Sequence, residues 1–368
     1  MSDSKRRKPR EELNQLRNKI DDVDEKILKL LNRRAKHVRK IGEVKNRLEK
    51  GKPDRNVLYR PDRERMIIRR LVESNHGPFP SKSISPVFME IISACRSLEI
   101  ALQVAYFGPE ATFTHLAARQ HFGHRADYHP ERTIEDVFDA VERGRYDYGV
   151  VPIENSTGGT VGGTLDCFVD SDLKITSQVL LRISHNLFSR TGNIKKIKRI
   201  YSHPQAFAQS WGWIRANMPN AEIVEVSSTA EAAKRAKEDV QGAAVTGRLA
   251  GDTYGLVPVA ERIEDFKQNF TRFLVIGTEK THPTGKDRTS MLLSLKHEPG
   301  ILFKSLEPFA KKDLNLTKIE SRPIKQKAWE YIFYIDVDGH ENDAKIKKTI
   351  EEVKKYCLFL KVLGSYPA

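Results

Sequence analysis

Apolar residues recur at Leu13, Leu16, Ile20, Val23, Ile27 and Leu30, then at Ile41, Val44 and Leu48, in steps of three and four. This spacing predicts one amphipathic helix over residues 11–49 with a heptad seam along one face. At 1.5 Å per residue the rod would be about 58 Å long, too long to pack only on itself. Gly51-Lys-Pro53 is expected to break it. A second helix is predicted from Pro61 to Ser74. A third, after the Gly77–Pro80 loop, carries Ile84, Val87, Phe88, Ile91, Ile92, Cys95, Leu98 and Leu102.

From Gln103 the pattern changes. Short apolar runs (Val104–Phe107, Tyr148–Val151, Ile200–Tyr201, Ala243–Val245, Phe273–Ile276) alternate with helical stretches at 112–122, 134–143, 204–217 and 229–238. That alternation predicts α/β units around a largely parallel sheet. The run Leu173–Phe188 reads as a strand crossing between two lobes. After a polar stretch the order becomes strand (Ser290–Leu295), helix (Ile301–Lys312), strands (Leu316–Ser321 and Tyr331–Val337), helix (Asp343–Tyr356) and strand (Phe359–Gly364). This βαββαβ order is ferredoxin-like. The expected organisation is multidomain: a basic tail (1–10), an all-α unit (11–102), a two-lobed α/β unit (103–280), a linker (281–287) and an α+β unit (288–368).

Composition alters this picture in one respect. The 368 residues carry a net charge of +14, which raises a polyanionic partner such as nucleic acid. Residues 1–103, however, hold 26 Lys and Arg against 15 Asp and Glu, while the other 265 residues hold 37 against 34. One helical segment owns the charge, and no zinc-finger, RNP or recognition-helix pattern accompanies it. No apolar run approaches the length of a membrane span, and the N-terminus lacks the apolar core of a signal peptide. Cys95, Cys167 and Cys357, spaced by 72 and 190 residues, form neither a disulfide framework nor a metal-ligand set. A reducing cytoplasm is the expected compartment. No metal and no cofactor is expected.

The seam contains an anomaly. Its heptad demands apolar residues at 34 and 37 but finds Arg34 and His37. A buried, unpaired guanidinium is costly, so an anion is expected beside it. That anion is either an intramolecular partner fixing helix register or a ligand. Lys45 lies 11 residues on, within about 20° of the same face, and Arg17 lies 17 residues back, displaced by about 100°. Arg63 and Glu64 open the second helix. Cations converging on a helical seam suit a small polyanion gripped by guanidinium forks.

These residues carry a resemblance. Leu16-Arg17 through Leu31, with Arg33-Arg34, Gly42-Glu-Val-Lys45 and Tyr59-Arg-Pro-Asp-Arg63-Glu64, resemble the all-helical chorismate mutases over about 90 residues. The resemblance implies two chains interlocked through the long helix, with Arg17 donated to the partner's site. Arg34, Lys45, Arg63 and Glu64 match the ligands within the chain. The implied reaction, chorismate to prephenate, is pericyclic and needs clamped carboxylates and cations, not a nucleophile. Two departures stand out. Glu99 occupies a position where the bacterial pattern often has Gln, and a carboxyl facing the ether oxygen helps only while protonated. Arg60 stands where some relatives place Asp.

Five strings mark the middle region: Tyr106-Phe-Gly-Pro-Glu-Ala-Thr112-Phe-Thr114, Val151-Pro-Ile-Glu154-Asn155-Ser156-Thr-Gly-Gly-Thr160, Tyr201-Ser202-His-Pro-Gln205-Ala-Phe-Ala-Gln209, Ser227-Ser-Thr-Ala-Glu231-Ala-Ala and Asn269-Phe-Thr271-Arg272-Phe273. Each places small hydroxyl or amide side chains at a strand end, where helix N-termini offer N–H groups to anions. Any one alone reads equally as a helix cap. Together they resemble prephenate dehydratase, which implies a two-lobed fold of solute-binding-protein type with its site in the cleft. By that resemblance Thr271 is the proton donor for the departing ring hydroxyl. Thr112, Glu154, Asn155, Ser156, Ser202, Gln209, Arg272 and Phe273 are its substrate-binding residues, with Arg272 a candidate partner of Glu154. Ala111 replaces a Gly often found in the first string. His115 and His203 are expected to be structural, and Asp252, Glu264 and Asp265 to be solvated charges or caps.

The tail contains Gly300-Ile301-Leu302-Phe303 after its first strand and Glu320-Ser321-Arg322-Pro323 after its second. These resemble an ACT regulatory domain, and Glu-Ser-Arg-Pro is the form found in phenylalanine-sensing dehydratases. The implied effector is L-phenylalanine, held by Gly300, Ile301, Leu302, Glu320, Ser321 and Arg322, although Gly300–Phe303 is bulkier than the usual Gly-Ala-Leu-Val. The combined expectation is a bifunctional enzyme acting on chorismate and prephenate, a homodimer or higher oligomer with no nucleic-acid or membrane partner. A nucleic-acid-binding protein and a non-catalytic amino-acid sensor are the rivals.

Overall fold

The computed structural model describes residues 3–48, 59–99, 101–323 and 331–368. Helix α1 (Asp3–Leu48) runs unbroken for 46 residues, about 69 Å at 1.5 Å per residue. It starts eight residues before the periodicity predicts, so the expected tail enters the helix. Lys and Arg are good helix formers, and hydrophobic periodicity is blind to a stretch as polar as Asp3–Arg10. Residues 10–30 are exposed throughout, and burial begins near Leu31 and is complete at Gly42. The seam is therefore uncovered within one chain, with Ile20 59% and Leu30 62% exposed. The predicted break at Gly51–Pro53 lies outside the described residues.

Helix α2 (Pro61–Glu73) starts on Pro61, whose fixed φ suits a first helical position. Arg60 forks onto Asp62 at 3.0 and 2.7 Å there. Helix α3 (Ser81–Arg96) stops short of Leu98 and Leu102. Leu102 is instead 1% exposed in the core of the next unit. Tyr59 enters the same core, its ring tilted against Phe122 and edge-on to Tyr148, and contacts His121 Nε2 through its hydroxyl at 2.5 Å. The helical unit is thus keyed into its neighbour by an aromatic plug.

The middle unit opens with β1 (Gln103–Phe107), α4 (Phe113–Phe122), β2 (Asp127–Glu131), α5 (Ile134–Glu142), β3 (Tyr148–Asn155) and β4 (Gly159–Thr160). It continues through α6 (Gly162–Asp170), β5 (Lys174–Arg182), β6 (Asn186–Ser189), β7 (Arg199–Ser202), α7 (Pro204–Asn217) and β8 (Glu222–Glu225). It closes with α8 (Thr229–Glu238), β9 (Gly242–Thr246), α9 (Arg248–Thr253), β10 (Val257–Ala260) and β11 (Phe270–Gly277). Two sheets result, ordered β2-β1-β3-β11-β5 with β4 on β3, and β10-β6-β9-β7-β8. Each sheet is mixed, not largely parallel. β11 returns from the second sheet and so runs antiparallel to both β3 and β5. The predicted crossing run is two strands in different sheets, and the chain passes between lobes at 183–185 and again at 261–269.

The last unit has β12 (Asp287–Leu295), α10 (Ile301–Lys311), β13 (Leu316–Pro323), β14 (Tyr331–Asp338), α11 (Ala344–Lys354) and β15 (Cys357–Pro367). Its antiparallel sheet is ordered β13-β14-β12-β15. The expected linker is not loose. Thr281 donates to the Ser365 carbonyl, and both Thr281 and Asp287 are buried. β15 lies against β5, so close at Gly364 (φ 155°) that a Cβ would stand 2.3 Å from the Ile175 carbonyl oxygen. Leu292, Tyr334 and Tyr366 share one core with Val151, Ile153 and Leu274.

Candidate active sites

The first site lies where α1 becomes buried against α2 and α3. Gly42 is fully covered because the Glu99 side chain rests on it, and a Cβ there would sit 3.1 Å from the Glu99 carboxyl carbon. Burial pushes the Glu99 carboxyl above its usual range, with Lys45 pulling the other way. Arg34 and Glu64 are electrostatic neighbours across the groove. Glu64 accepts from Arg96 Nη1 at 2.6 Å. Burial raises its pKa as well, against the pull of Arg96 and Arg34. Among the described residues Arg34 Nη1 is buried without a hydrogen-bond partner, an unfavourable arrangement unless an anion completes it.

Arg34 is therefore brought to Glu64 and Lys45 to Glu99, while Arg63 is exposed beside Glu64. Arg17 is exposed about 25 Å along α1 from Arg34, 17 residues at 1.5 Å each. It does not reach the groove of its own chain. Arg96 carried no sequence signal. Its other arm donates to the Phe122 carbonyl at 2.8 Å and its guanidinium lies 5.0 Å above the Tyr59 ring. The middle unit thereby holds a partner of Glu64.

The second site sits where β3 and β11 meet the crossing between lobes. Register pairs Asn155 with Thr271 and Glu154 with Arg272. Strand alternation then sends the two pairs to opposite faces. On the cleft face a closed ring of side chains forms. Asn155 Nδ2 donates to Asn269 Oδ1 (2.9 Å), Asn269 Nδ2 to Gln209 Oε1 (2.9 Å), Gln209 Nε2 to Thr157 Oγ1 (2.6 Å), and Thr157 Oγ1 to Asn155 Oδ1 (2.7 Å). Its direction is set by main-chain donors that have no alternative role. The N–H groups of Thr157 and Gly158 reach Asn155 Oδ1 at 3.0 and 2.8 Å. Asn155 must therefore present its NH2 to Thr271 Oγ1 at 2.8 Å. The Thr271 hydroxyl accepts from Asn155, and among the described residues nothing takes its proton. Asn269 and Thr157 lay inside the quoted strings without an assigned role, since only the folded ring reveals them.

Other predicted residues fall elsewhere. On the opposite face Arg272 donates to Glu154 (3.1 Å), Asp336 (2.6 Å) and Tyr366 (2.7 Å), and Lys318 donates to Glu154. Burial alone disfavours the guanidinium charge, but Tyr366 and Asp336 keep it. Burial likewise raises Glu154, yet Lys318 and Arg272 together hold its carboxyl below the usual range. The pairing of Arg272 with Glu154 holds, and both residues face the last unit, away from the Thr271 hydroxyl. Phe273 is 2% exposed in the sheet core. Ser202, fully buried, donates to the Val245 carbonyl at 2.7 Å. Ser156 bridges to the Gln268 carbonyl and the Phe270 N–H, and Thr112 caps α4 through the His115 N–H.

Both structural histidines behave as expected: His203 accepts from the Gln205 N–H, and His115 accepts from the Ala111 N–H while stacking on Tyr106. Glu264 corrects an expectation. It is 6% exposed and accepts from Ser184 Oγ and the His185 N–H, because it closes the crossing between lobes. Asp265 accepts from the Gly212 and Trp213 N–H groups, and Asp252 stays exposed beside Arg248. Ala111 has φ 65°, a left-handed conformation that strains any residue with a Cβ. Ala111→Gly is expected to stabilise this domain by about 0.5–1 kcal/mol, read as a raised urea midpoint with an unchanged slope.

In the last unit Gly300 caps α10 at φ 73°, where glycine costs least. Ile301 is half-buried, and Leu302 and Phe303 are 37% and 72% exposed. On β13, Ser321 is exposed and Glu320 half-buried, while Arg322 lies so close to Gly162 of α6 that a Cβ would collide with its guanidinium. A cavity of about 290 Å³ between these units is lined by Glu135, Asp166, Asp170, Arg322 and Tyr334, among others.

Family models match in order: chorismate mutase type II over residues 16–100, prephenate dehydratase over 104–281 and ACT domain over 289–355. A bifunctional chorismate mutase/prephenate dehydratase of Aquifex aeolicus is 46% identical over 361 residues, covering 97% of this chain and 98% of that one. One from Stutzerimonas stutzeri is 44% identical over 358 residues with the same coverage. The crystal structure of prephenate dehydratase from Arthrobacter aurescens, in complex with L-Phe, superposes with a TM-score of 0.67 at 33% identity, covering 72% of this chain and 90% of that one. With its three units in this order and both activities represented, the chain belongs to the bifunctional chorismate mutase/prephenate dehydratases.

Proposed function

We propose that the groove between α1, α2 and α3 binds chorismate as its dianion and that two chains complete it. The unpartnered Arg34 nitrogen supports this most directly. Arg34 and Arg63 grip carboxylates, Lys45 and Glu99 meet the ether oxygen, and Glu64 holds the substrate hydroxyl. The uncovered seam over residues 10–30 supports an α1-to-α1 homodimer, which brings Arg17 of one chain to the groove of the other. A protonated Glu99 donates a hydrogen bond to the oxygen as the C–O bond breaks; an ionised one repels it. Since burial raises this pKa, mutase kcat/KM is expected to fall by about 10²-fold on an alkaline limb. Glu99→Gln should remove that limb, as an amide does not ionise. A pH–rate profile identical in both proteins would contradict this role.

In the dehydratase cleft, the outward Thr271 proton carries the reading. The hydroxyl gives its proton to the ring hydroxyl of prephenate as that C–O bond breaks and water forms. In the same step the bond to the ring carboxylate breaks, CO2 leaves and the electron pair completes the aromatic ring. Solvent then restores the Thr271 proton. Asn155 orients the donor, and Gln209 and Thr112 line the approach. L-Phenylalanine is proposed as a feedback inhibitor bound at Gly300–Leu302 and Glu320–Arg322. Phenylpyruvate formation measured with and without L-phenylalanine tests this, and an unchanged rate would remove it. Cys95 and Cys357, neither in a disulfide, support a cytoplasmic setting.

A further inference from the structure

His185 lies in the crossing between β5 and β6, 2% exposed. Its Nε2 stands 2.9 Å from Gln209 Oε1, the oxygen that also accepts from Asn269 in the closed ring. Its Nδ1 is buried with no partner among the described residues. The ring direction decides which nitrogen carries the proton. Thr157 Oγ1 gives its single proton to Asn155 Oδ1, so it must accept from Gln209 Nε2. Gln209 Oε1 consequently faces Asn269 and His185, and the latter must donate from Nε2. The imidazole is neutral, with its proton on Nε2 and an unpaired lone pair on Nδ1. Burial favours that neutral form, and Glu264, the titratable group beside it, does not outweigh it.

A residue serving packing alone would not keep a buried nitrogen unsatisfied, because the lost hydration is not returned. Its orientation is nonetheless enforced from two sides. Phe113 meets the imidazole edge-on at 5.7 Å, and Glu264 holds the His185 main-chain N–H at 3.0 Å. We infer that His185 is a positioning residue of the dehydratase: its Nε2–H fixes the Gln209 amide, which through Asn269 holds the Asn155 side chain, oriented by the main chain, in place against Thr271. Without that donor, Gln209 can turn its amide and break the order of the ring. The inference rests on Thr271 as the proton donor.

The test compares two amides of different reach in the full chain. The side-chain nitrogen of His185→Gln occupies the place of Nε2, whereas that of His185→Asn falls near Nδ1 and cannot reach Gln209. With prephenate, His185→Asn is expected to lower kcat between about 10- and 100-fold, with KM within threefold, as for a misoriented catalytic group. His185→Gln is expected to stay within about threefold of the parent. Chorismate turnover in the helical unit should be unchanged in both, which reports an intact chain. A wild-type kcat in His185→Asn, or equal losses in both variants, overturns the inference. Thr271→Ala measured alongside separates the two readings. If it is inactive while His185→Asn is normal, only the role of His185 fails; if Thr271→Ala itself turns over normally, the donor assignment fails first.

Discussion

Thr271→Ala is expected to lower phenylpyruvate formation by about 10²–10⁴-fold, the range for a lost general acid, while leaving chorismate turnover intact. The size follows from the position of the group. Asn155 donates to Thr271 Oγ1 at 2.8 Å, so the hydroxyl keeps one free proton and no neighbour that substitutes for it. Thr271→Ser retains oxygen and proton and should recover most of the rate, reduced by the extra rotamer freedom that the β-methyl of Thr denies. Prephenate binding should change little in either variant, because Gln209 and Asn269 remain tied to each other. Assays of kcat and KM with prephenate check all three statements. A kcat for Thr271→Ala within threefold of the parent would exclude Thr271 as donor.

The second large effect concerns the helical unit. Arg34→Ala is expected to cost chorismate mutase activity about 10²–10³-fold in kcat/KM, the loss typical of one electrostatic donor to a developing charge. Arg17→Ala should cost a comparable amount although Arg17 lies about 25 Å along the same helix, because in the proposed dimer it serves the other chain's groove. The geometry makes a sharper forecast for mixtures. When the two inactive variants exchange subunits, about half the dimers pair Arg17→Ala with Arg34→Ala. One of the two sites in such a dimer then carries neither substitution, so about a quarter of the parental activity should return. Mixtures that stay inactive after proven exchange would place Arg17 outside the shared site.

The residues that sequence reasoning located best are those whose chemistry conflicts with their setting. Arg34 interrupts an apolar seam, and that conflict pointed to an anion before any fold was known. The long α1 was legible from periodicity, yet its first eight residues were not, since so polar a stretch has no apolar rhythm. Strand positions such as Phe273–Ile276 were clear from their apolar runs, whereas their direction was not, because antiparallel return from the second lobe is a property of the whole path.

Glu154 and Arg272 show the limit most plainly. They adjoin Asn155 and Thr271 in sequence, and the resemblance implied a common site. A strand puts neighbours on opposite faces, and these two turn to Lys318, Asp336 and Tyr366 of the regulatory unit. The same contact ties the ACT sheet to the residues preceding Asn155 and following Thr271. Arg96 and His185 have partners tens of residues away, and no local pattern marks either.

The most direct test supplies chorismate to the full chain and follows prephenate and phenylpyruvate together. Prephenate should appear first and phenylpyruvate after it, with the second product lost in Thr271→Ala and both lost in Arg34→Ala. The absence of both products from the unmodified chain would contradict the account.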